Sequence, residues 1–149
     1  MIEIRRITDI PELMTWRKEV IENVFGVIPS DALLVANREY YEEHINNGTH
    51  IALLAIAEES EAGVGSICFS DELPSPDNPS GHCAYLMNIY VRRAFRVHGV
   101  GHAIVRELLK IAADKDCGKI YLETTPEGRG VYESLGFYDM PDMMKLKIM

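Results

Sequence analysis

The sequence predicts a mixed α/β domain in which hairpin strands come first and a strand–helix–strand unit follows. Three observations carry that expectation. Residues 83–91 (Cys-Ala-Tyr-Leu-Met-Asn-Ile-Tyr-Val) show no alternation of polar and apolar side chains, the pattern of a central strand buried on both faces. Directly beyond it, Arg96-Val97-His98-Gly99-Val100-Gly101 leads into a run where Val100, Ala103, Ile104, Leu108 and Ile111 recur at helical spacing, with Arg106, Lys110 and Asp114 mainly off the stripe. Gly118 stops this helix, and residues 119–125 (Lys-Ile-Tyr-Leu-Glu-Thr-Thr) read as the next strand.

Taken in order, residues 2–7 alternate well enough for a first strand. Asp9-Ile-Pro-Glu12 then supplies a capping Asp, an early Pro and a Glu three residues on, so a helix starts there. It carries Leu13, Trp16 and Val20 inward and stops before Gly26. Pro29-Ser-Asp31 opens a second helix, running through Leu33, Leu34, Tyr40 and Tyr41 toward Gly48. Residues 50–57 and 63–70 read as a strand pair joined by the acidic turn Glu58-Glu-Ser-Glu-Ala62. Pro74, Pro76 and Pro79 make the next segment an open loop. The long helix of the later unit is expected over 99–115. No repeat, low-complexity tract or linker interrupts the chain, so residues 1–149 are expected to form a single domain.

Composition narrows the class. With 149 residues and a 47% hydrophobic share the chain is long enough to bury a sizeable core. Lys and Arg total 15 against 23 Asp and Glu, a net charge of −8 that disfavours nonspecific binding to nucleic acid or anionic membranes. The same acidity suits a cationic substrate, and equally suits simple solubility. Cys68, Cys83 and Cys117 form no Cys-x-x-Cys pair and no even framework, which supports neither a zinc knuckle nor a disulfide scaffold and is consistent with a reducing cytoplasm. Met1-Ile-Glu-Ile-Arg-Arg6 is not a signal peptide, and no apolar run approaches a membrane span. The expectation is a soluble cytoplasmic protein with no nucleic-acid or membrane partner.

A strand feeding a glycine-rich turn and a helix N-terminus offers unpaired backbone N–H groups, which suit a pyrophosphate. Two familiar phosphate-binding patterns fit badly: there is no Gly-x-x-x-x-Gly-Lys-Ser/Thr, and Ile104 stands where a dinucleotide fingerprint needs its third glycine. The segment instead resembles the acetyl-coenzyme A motif of the GNAT superfamily of N-acetyltransferases, Arg/Gln-x-x-Gly-x-Gly/Ala, filled here by Arg96, Gly99 and Gly101. Downstream, Val131-Tyr-Glu-Ser-Leu-Gly-Phe137 resembles the family's closing signature, a short helix ending in Tyr-x-x-x-Gly-Phe before a strand, filled by Tyr132, Gly136 and Phe137. The order of elements agrees over nearly all of the chain. The resemblance implies a GNAT-like mixed sheet of about six to seven strands flanked by about four helices, with the fourth and fifth strands splayed to admit a pantetheine arm. It also implies acetyl-coenzyme A as co-substrate and no metal. Two departures bear on the loop: the family often has Pro where Arg93 stands and Gly where Val97 stands, so the loop is expected to be shaped differently.

Acetyl transfer from a thioester to an amine needs a grip on the carrier, a neutral amine, stabilisation of the oxyanion and a proton for the leaving thiolate. For the grip, the resemblance assigns the backbone of Val97, His98, Gly99, Val100, Gly101 and His102, with Arg96, to the pyrophosphate. It assigns Ile89, Tyr90 and Val91 to the pantetheine arm, Ile89 and Val91 through main-chain groups, and an N–H of this strand to the oxyanion. Tyr132 matches the tyrosine that many members use as general acid; a phenol of pKa ~10 stays protonated near neutrality and can donate to a forming thiolate. Packing of the short helix is the other role open to it. An alkylamine of pKa ~10.4 is mostly protonated at pH 7, so a carboxylate must help deprotonate it. Glu123, in an otherwise apolar strand, matches the position where some relatives place a catalytic glutamate. Those relatives carry an Asn and a longer helix before the tyrosine, whereas Thr125-Pro-Glu-Gly-Arg-Gly130 intervenes here, and a solvated strand-end carboxylate is the other reading of Glu123.

Further polar residues read as supporting ones. Asn88 is expected to be a satisfied structural amide. His98 and His102 stand four apart without a third ligand, so they are expected to line the phosphate site or solvent and not a metal. His82 reads as a loop histidine. Cys83 and Cys117 read as inert packing, which favours direct transfer in a ternary complex over an acetyl-cysteine step. The chain is thus expected to be an N-acetyltransferase acting on a primary amine, a small molecule or a protein amine, with a homodimer left open. Tyr40-Tyr-Glu-Glu43 and Asp71-Glu72 suit a cationic acceptor or are merely solvated. The alternative from another class is a noncatalytic coenzyme A-binding regulator of the same fold, which the presence of Tyr132 disfavours.

Overall fold

The computed structural model describes residues 1–148, and among these the chain forms five strands and four α-helices. Strand β1 spans Ile2–Ile7. Helix α1 (Ile10–Val20) starts where expected, because the Asp9 carboxylate accepts the Glu12 N–H at 3.0 Å and Pro11 sits in the first turn. A π turn at Ile21–Phe25 extends it to Gly26, whose φ of +70° ends it. Helix α2 (Asp31–Asn46) is capped by the Ser30 hydroxyl, which accepts from the Leu33 N–H at 3.1 Å. Then follow β2 (His50–Ala57), β3 (Ser60–Asp71), β4 (His82–Val91), α3 (Val100–Asp114), β5 (Lys119–Leu122) and α4 (Arg129–Ser134).

The sheet has the order β1-β2-β3-β4-β5, antiparallel throughout except for the parallel β4–β5 pair. Helices α1 and α2 cover one face through Leu13, Trp16, Val20 and Tyr41, which pack on Leu54, Val64 and Tyr90. Helix α3 covers the other, its Ile104, Val105 and Leu108 meeting Leu53, Ile67 and Leu86. The apolar stripe read from the sequence is the buried face of α3.

Three expectations need correction. The β2–β3 turn is only Glu58-Glu59, with φ of +51° and +66°, so β3 begins at Ser60 and not at Gly63. A two-residue hairpin needs positive φ at both central residues, and here two glutamates adopt it where Asn and Gly are the usual signal. Strand β5 ends at Leu122, three residues early, because its only neighbour, β4, stops pairing there. Finally, the sheet has five strands among the described residues in place of six to seven. Pro141 and the segment 138–148 follow the Tyr-x-x-x-Gly-Phe signature without entering the sheet, and Met144, Leu146 and Ile148 are 98%, 81% and 81% exposed. An alternating segment becomes a strand only when a neighbouring backbone pairs with it.

Candidate active site

Strand β4 is the spine of the site, and its lack of alternation has a cause beyond burial. Ala84 and Leu86 face α3, but so do Ile89 and Val91, while Tyr90 faces α1 and α2. The parity flips because of a bulge: Met87 lies opposite Ser66 and Tyr90 opposite Val64, which leaves Asn88 and Ile89 together opposite Gly65. Asn88 takes φ +56° to make the extra step. Gly65 leaves the space; a Cβ there would lie 2.4 Å from Ile104 Cγ2 and 3.3 Å from Ile89 Cγ1.

On its other side β4 pairs with β5 only from Cys83↔Lys119 to Leu86↔Leu122. Beyond that point β4 runs on for five more residues, Met87 to Val91, without β5 beside it. The two strands therefore open into a gap whose wall is the bulged half of β4, including Ile89, Tyr90 and Val91.

The loop after β4 closes one end of this gap. Arg92 is anchored by a bidentate pair to Glu19, both bonds 2.8 Å, and stacks over Trp16 at 4.2 Å. Arg96 donates from Nε to the Val91 carbonyl at 2.9 Å and so folds the loop back on the strand it follows. Val97 adopts φ +58° and is fully exposed, and Gly99 adopts φ +84°. A β-branched residue in the left-handed region is strained by roughly 1–2 kcal/mol, so the valine follows the path a glycine would take at some cost. No side chain caps α3, whose first backbone bond runs from the Ala103 N–H to the Gly99 carbonyl at 3.0 Å. The N–H groups of Val100, Gly101 and His102 thus have no helical acceptor and carry the positive end of the helix dipole. A Cβ on Gly101 would meet only Val131 and Val91 methyls, at 3.9 Å. The residues present fit a pyrophosphate: free donors at the helix start, and at Gly99 open space, since a Cβ there would meet nothing within 4 Å. His98 is exposed beside them.

Tyr132 lines a cleft with Tyr85 of β4 and with Tyr121 and Leu122 of β5. The Tyr-x-x-x-Gly-Phe signature is a helix C-cap: the Phe137 N–H donates to the Tyr132 carbonyl at 3.0 Å, the Gly136 N–H donates to Glu133 at 3.1 Å, and Gly136 has φ +98°. The Tyr132 and Phe137 rings meet edge to face at 5.8 Å, the apolar contact that accompanies such a cap. Burial pushes the Tyr132 phenol above its usual range, so it stays protonated, and among the described residues its hydroxyl has no protein partner. Helix α4 is held to α3 by His102, whose Nε2 lies 2.6 Å from the Ser134 hydroxyl. His102 therefore ties two helices together.

Glu123 is the first residue past β5 and is exposed, so it does not interrupt the strand. It does line the same cleft as Tyr132, with Tyr85, Tyr121 and Thr124, and it adds to the rise that burial imposes on the Tyr85 phenol. His82 pairs with Asp71 at 2.7 Å on the surface. Burial raises the thiols of Cys68, Cys83 and Cys117, which keeps them protonated and unreactive. Among the described residues there is no cluster of three His, Cys, Asp or Glu placed to hold a metal, and no helix long and apolar enough to cross a membrane.

Sequence reasoning missed a second cavity, on the α1–α2 side of the sheet. It has a volume of about 380 Å³ and is lined by Arg17, Asn37, Tyr40, His50, Cys68 and Asn88, among others. Tyr40 and Tyr41 turn toward it while Glu42 and Glu43 face solvent, so the acidic part of that segment is a solvated helix face. His50 is 3% exposed, bonds the Tyr40 hydroxyl through Nδ1 at 2.9 Å and leaves Nε2 without a partner. Burial, then His44 and Arg17, push it down to about 4. Between that value and the unfolded value of about 6.5 the unfolded chain binds more protons, so stability rises with pH across this window and is lost as pH falls through it. Unfolding titrations at pH 7 and pH 4 should show His50→Gln losing about 3 kcal/mol less than the parent chain. Equal losses would place the buried proton uptake elsewhere.

The fold is shared with solved acetyltransferase structures. One from Clostridium acetobutylicum, a predicted acetyltransferase with acetyl-CoA, matches with a TM-score of 0.88 at 24% identity, covering 99% of this chain and 96% of that one. The glucosamine-6-phosphate N-acetyltransferase of Arabidopsis thaliana matches with a TM-score of 0.72 at 19% identity, covering 100% and 99%. The sequence model of the acetyltransferase (GNAT) family matches residues 12–137, and the chain belongs to that family. Among curated relatives, a probable glucosamine 6-phosphate N-acetyltransferase 2 of Oryza sativa subsp. japonica is 36% identical over 59 residues, covering 40% of this chain and 36% of that protein. The thialysine N-epsilon-acetyltransferase of Sus scrofa is 26% identical over 91 residues, covering 47% and 54%. The matches thus span between 36% and 54% of those relatives' length.

Proposed function

We propose that the chain transfers acetyl from acetyl-coenzyme A to a primary amine, directly, within a ternary complex. The observation that supports this reading is that β4 runs on unpaired by β5 beyond Leu86 and Leu122 and leads to a helix whose first N–H groups are uncapped. The donors at Val100, Gly101 and His102 bind the pyrophosphate, and Arg96 keeps the loop in register with β4. The bulged segment at Ile89 and Tyr90 lies along the pantetheine arm. A main-chain N–H left without a sheet partner there faces the developing oxyanion at no cost in reorganisation. The amine attacks the thioester carbonyl, the C–S bond breaks, and Tyr132 delivers its proton to the thiolate sulfur. Glu123, through water, takes the proton that the amine gives up.

Membership of the family, and relatives named for acetylating glucosamine 6-phosphate and thialysine, support a small-molecule amine as acceptor. A screen of amines that measures released thiol tests the reading. Turnover with any amine supports it; acetyl-coenzyme A binding without turnover across the screen favours a noncatalytic regulator. The base is tested separately. Glu123→Gln keeps shape and removes basicity, so its rate should fall near neutral pH by about 10²-fold and partly recover as rising pH frees the amine. A pH–rate profile identical to that of the parent chain would assign the deprotonation to solvent.

A further inference from the structure

We propose that the cavity on the α1–α2 side selects an acceptor that carries an acid group, a carboxylate or a phosphate, close to its amine, and that Arg17 holds that group. This inference rests on the acetyl-transfer reading and names its substrate class.

The cavity lining contains one fixed charge, the Arg17 guanidinium, and no Asp or Glu, in a chain whose net charge is −8. Arg17, on α1, is oriented by two other elements. Its Nε donates to Asn37 Oδ1 on α2 at 2.9 Å, and its Nη1 donates to Asn88 Oδ1 in β4 at 2.8 Å. Asn37 is itself fixed, because its Nδ2 donates to the Leu33 carbonyl at 2.8 Å. Two of the five guanidinium N–H groups are thus used, both on neutral amides. Among the described residues no carboxylate lies within ion-pair distance, whereas Arg5 and Arg92 each have one and Arg129 has two. A part-buried cation held by neutral oxygens, with donors to spare in a planar fork, matches a carboxylate or phosphate in charge and geometry.

Position adds the second constraint. Asn88 is the bulge residue of β4, so the anion sits beside the strand segment assigned to the thioester. Amine and acid group in the acceptor are therefore few bonds apart. A volume of about 380 Å³ with largely aromatic and apolar walls is at the small end for ligand sites and suits a metabolite, not a protein segment.

The test uses amine pairs that differ only in the acid group: 4-aminobutyrate against butylamine, lysine against cadaverine, and phosphoethanolamine against ethylamine. Released thiol gives kcat/KM at matched free-amine concentration, and the melting shift with acetyl-coenzyme A is measured separately on the same protein. At least one acid-bearing amine should exceed its neutral partner at least tenfold, and the series in which this happens tells carboxylate from phosphate. Arg17→Met should bring the ratio close to one, Arg17→Lys should restore part of it, and both should keep the acetyl-coenzyme A shift. Neutral amines that match their acid-bearing partners overturn the proposal, as does a ratio that survives in Arg17→Met or a protein that binds acetyl-coenzyme A and acetylates neither series. If Arg17→Met does not fold, the parent ratio and Arg17→Lys decide. Absence of the acetyl-coenzyme A shift in the parent chain overturns the acetyl-transfer reading itself and is thereby distinguished.

Discussion

A Gly101→Glu chain should melt at the same temperature with and without acetyl-coenzyme A, whereas the parent chain should gain about 2.7 kcal/mol of stability at 100 times the dissociation constant. The direction of the side chain decides this. A Cβ at 101 would lie 3.9 Å from methyls of Val91, the last residue of β4, and Val131 of α4, so a longer side chain starts beside the end of β4 and the start of α3. The carboxylate then lies beside the uncapped N–H groups of α3, satisfies them in place of phosphate, and repels the pyrophosphate. Gly101→Ala is the control. Its methyl makes only ordinary van der Waals contact, and the melting shift should survive. A full shift in Gly101→Glu would move the carrier site away from this helix start, and no shift in the parent chain at millimolar acetyl-coenzyme A would remove the site altogether.

Tyr132→Phe should bind acetyl-coenzyme A like the parent chain and turn over about 10²- to 10⁴-fold more slowly, the range that loss of a general acid produces. Phenylalanine keeps the edge-to-face contact with Phe137 and leaves the backbone cap at Gly136 intact, so the helix end persists. What disappears is one O–H, held protonated by burial and free of protein partners. Binding and turnover should be measured on the same preparation with an acceptor from the amine screen. Parent-like turnover would refute proton donation by Tyr132, and a parallel loss of binding would leave it the packing role alone.

Much of this site was legible because its parts are local. Gly99 and Gly136 sit in left-handed backbone, Asp9 and Ser30 cap helices within three residues of themselves, and the Tyr132-to-Phe137 signature is one turn closing on itself. The stripe from Val100 to Ile111 needed only its own period to announce a buried face. Where reading failed, a distant partner decided. Glu123 fell outside β5 because strand length depends on how far β4 stays beside it. The strand expected after Phe137 is not formed among the described residues, because a strand exists only in a ladder. Asn88 read as a structural amide, and what its side-chain oxygen accepts is a hydrogen bond from Arg17, 71 residues away.

The sequence alone determined the order of elements, the glycine turn that starts α3 and the tyrosine of the last helix, since each follows from backbone preferences and side-chain period over a few residues. The tertiary structure alone decided how far β5 stays beside β4, the bulge that flips β4 at Asn88, and the positive charge in a cavity of an acidic protein. The first two arise where β4 meets β5 and β3, and the third where α1, α2 and β4 meet, through hydrogen bonds and packing between residues far apart in the chain, and nothing in the local composition of any one segment encodes such a meeting.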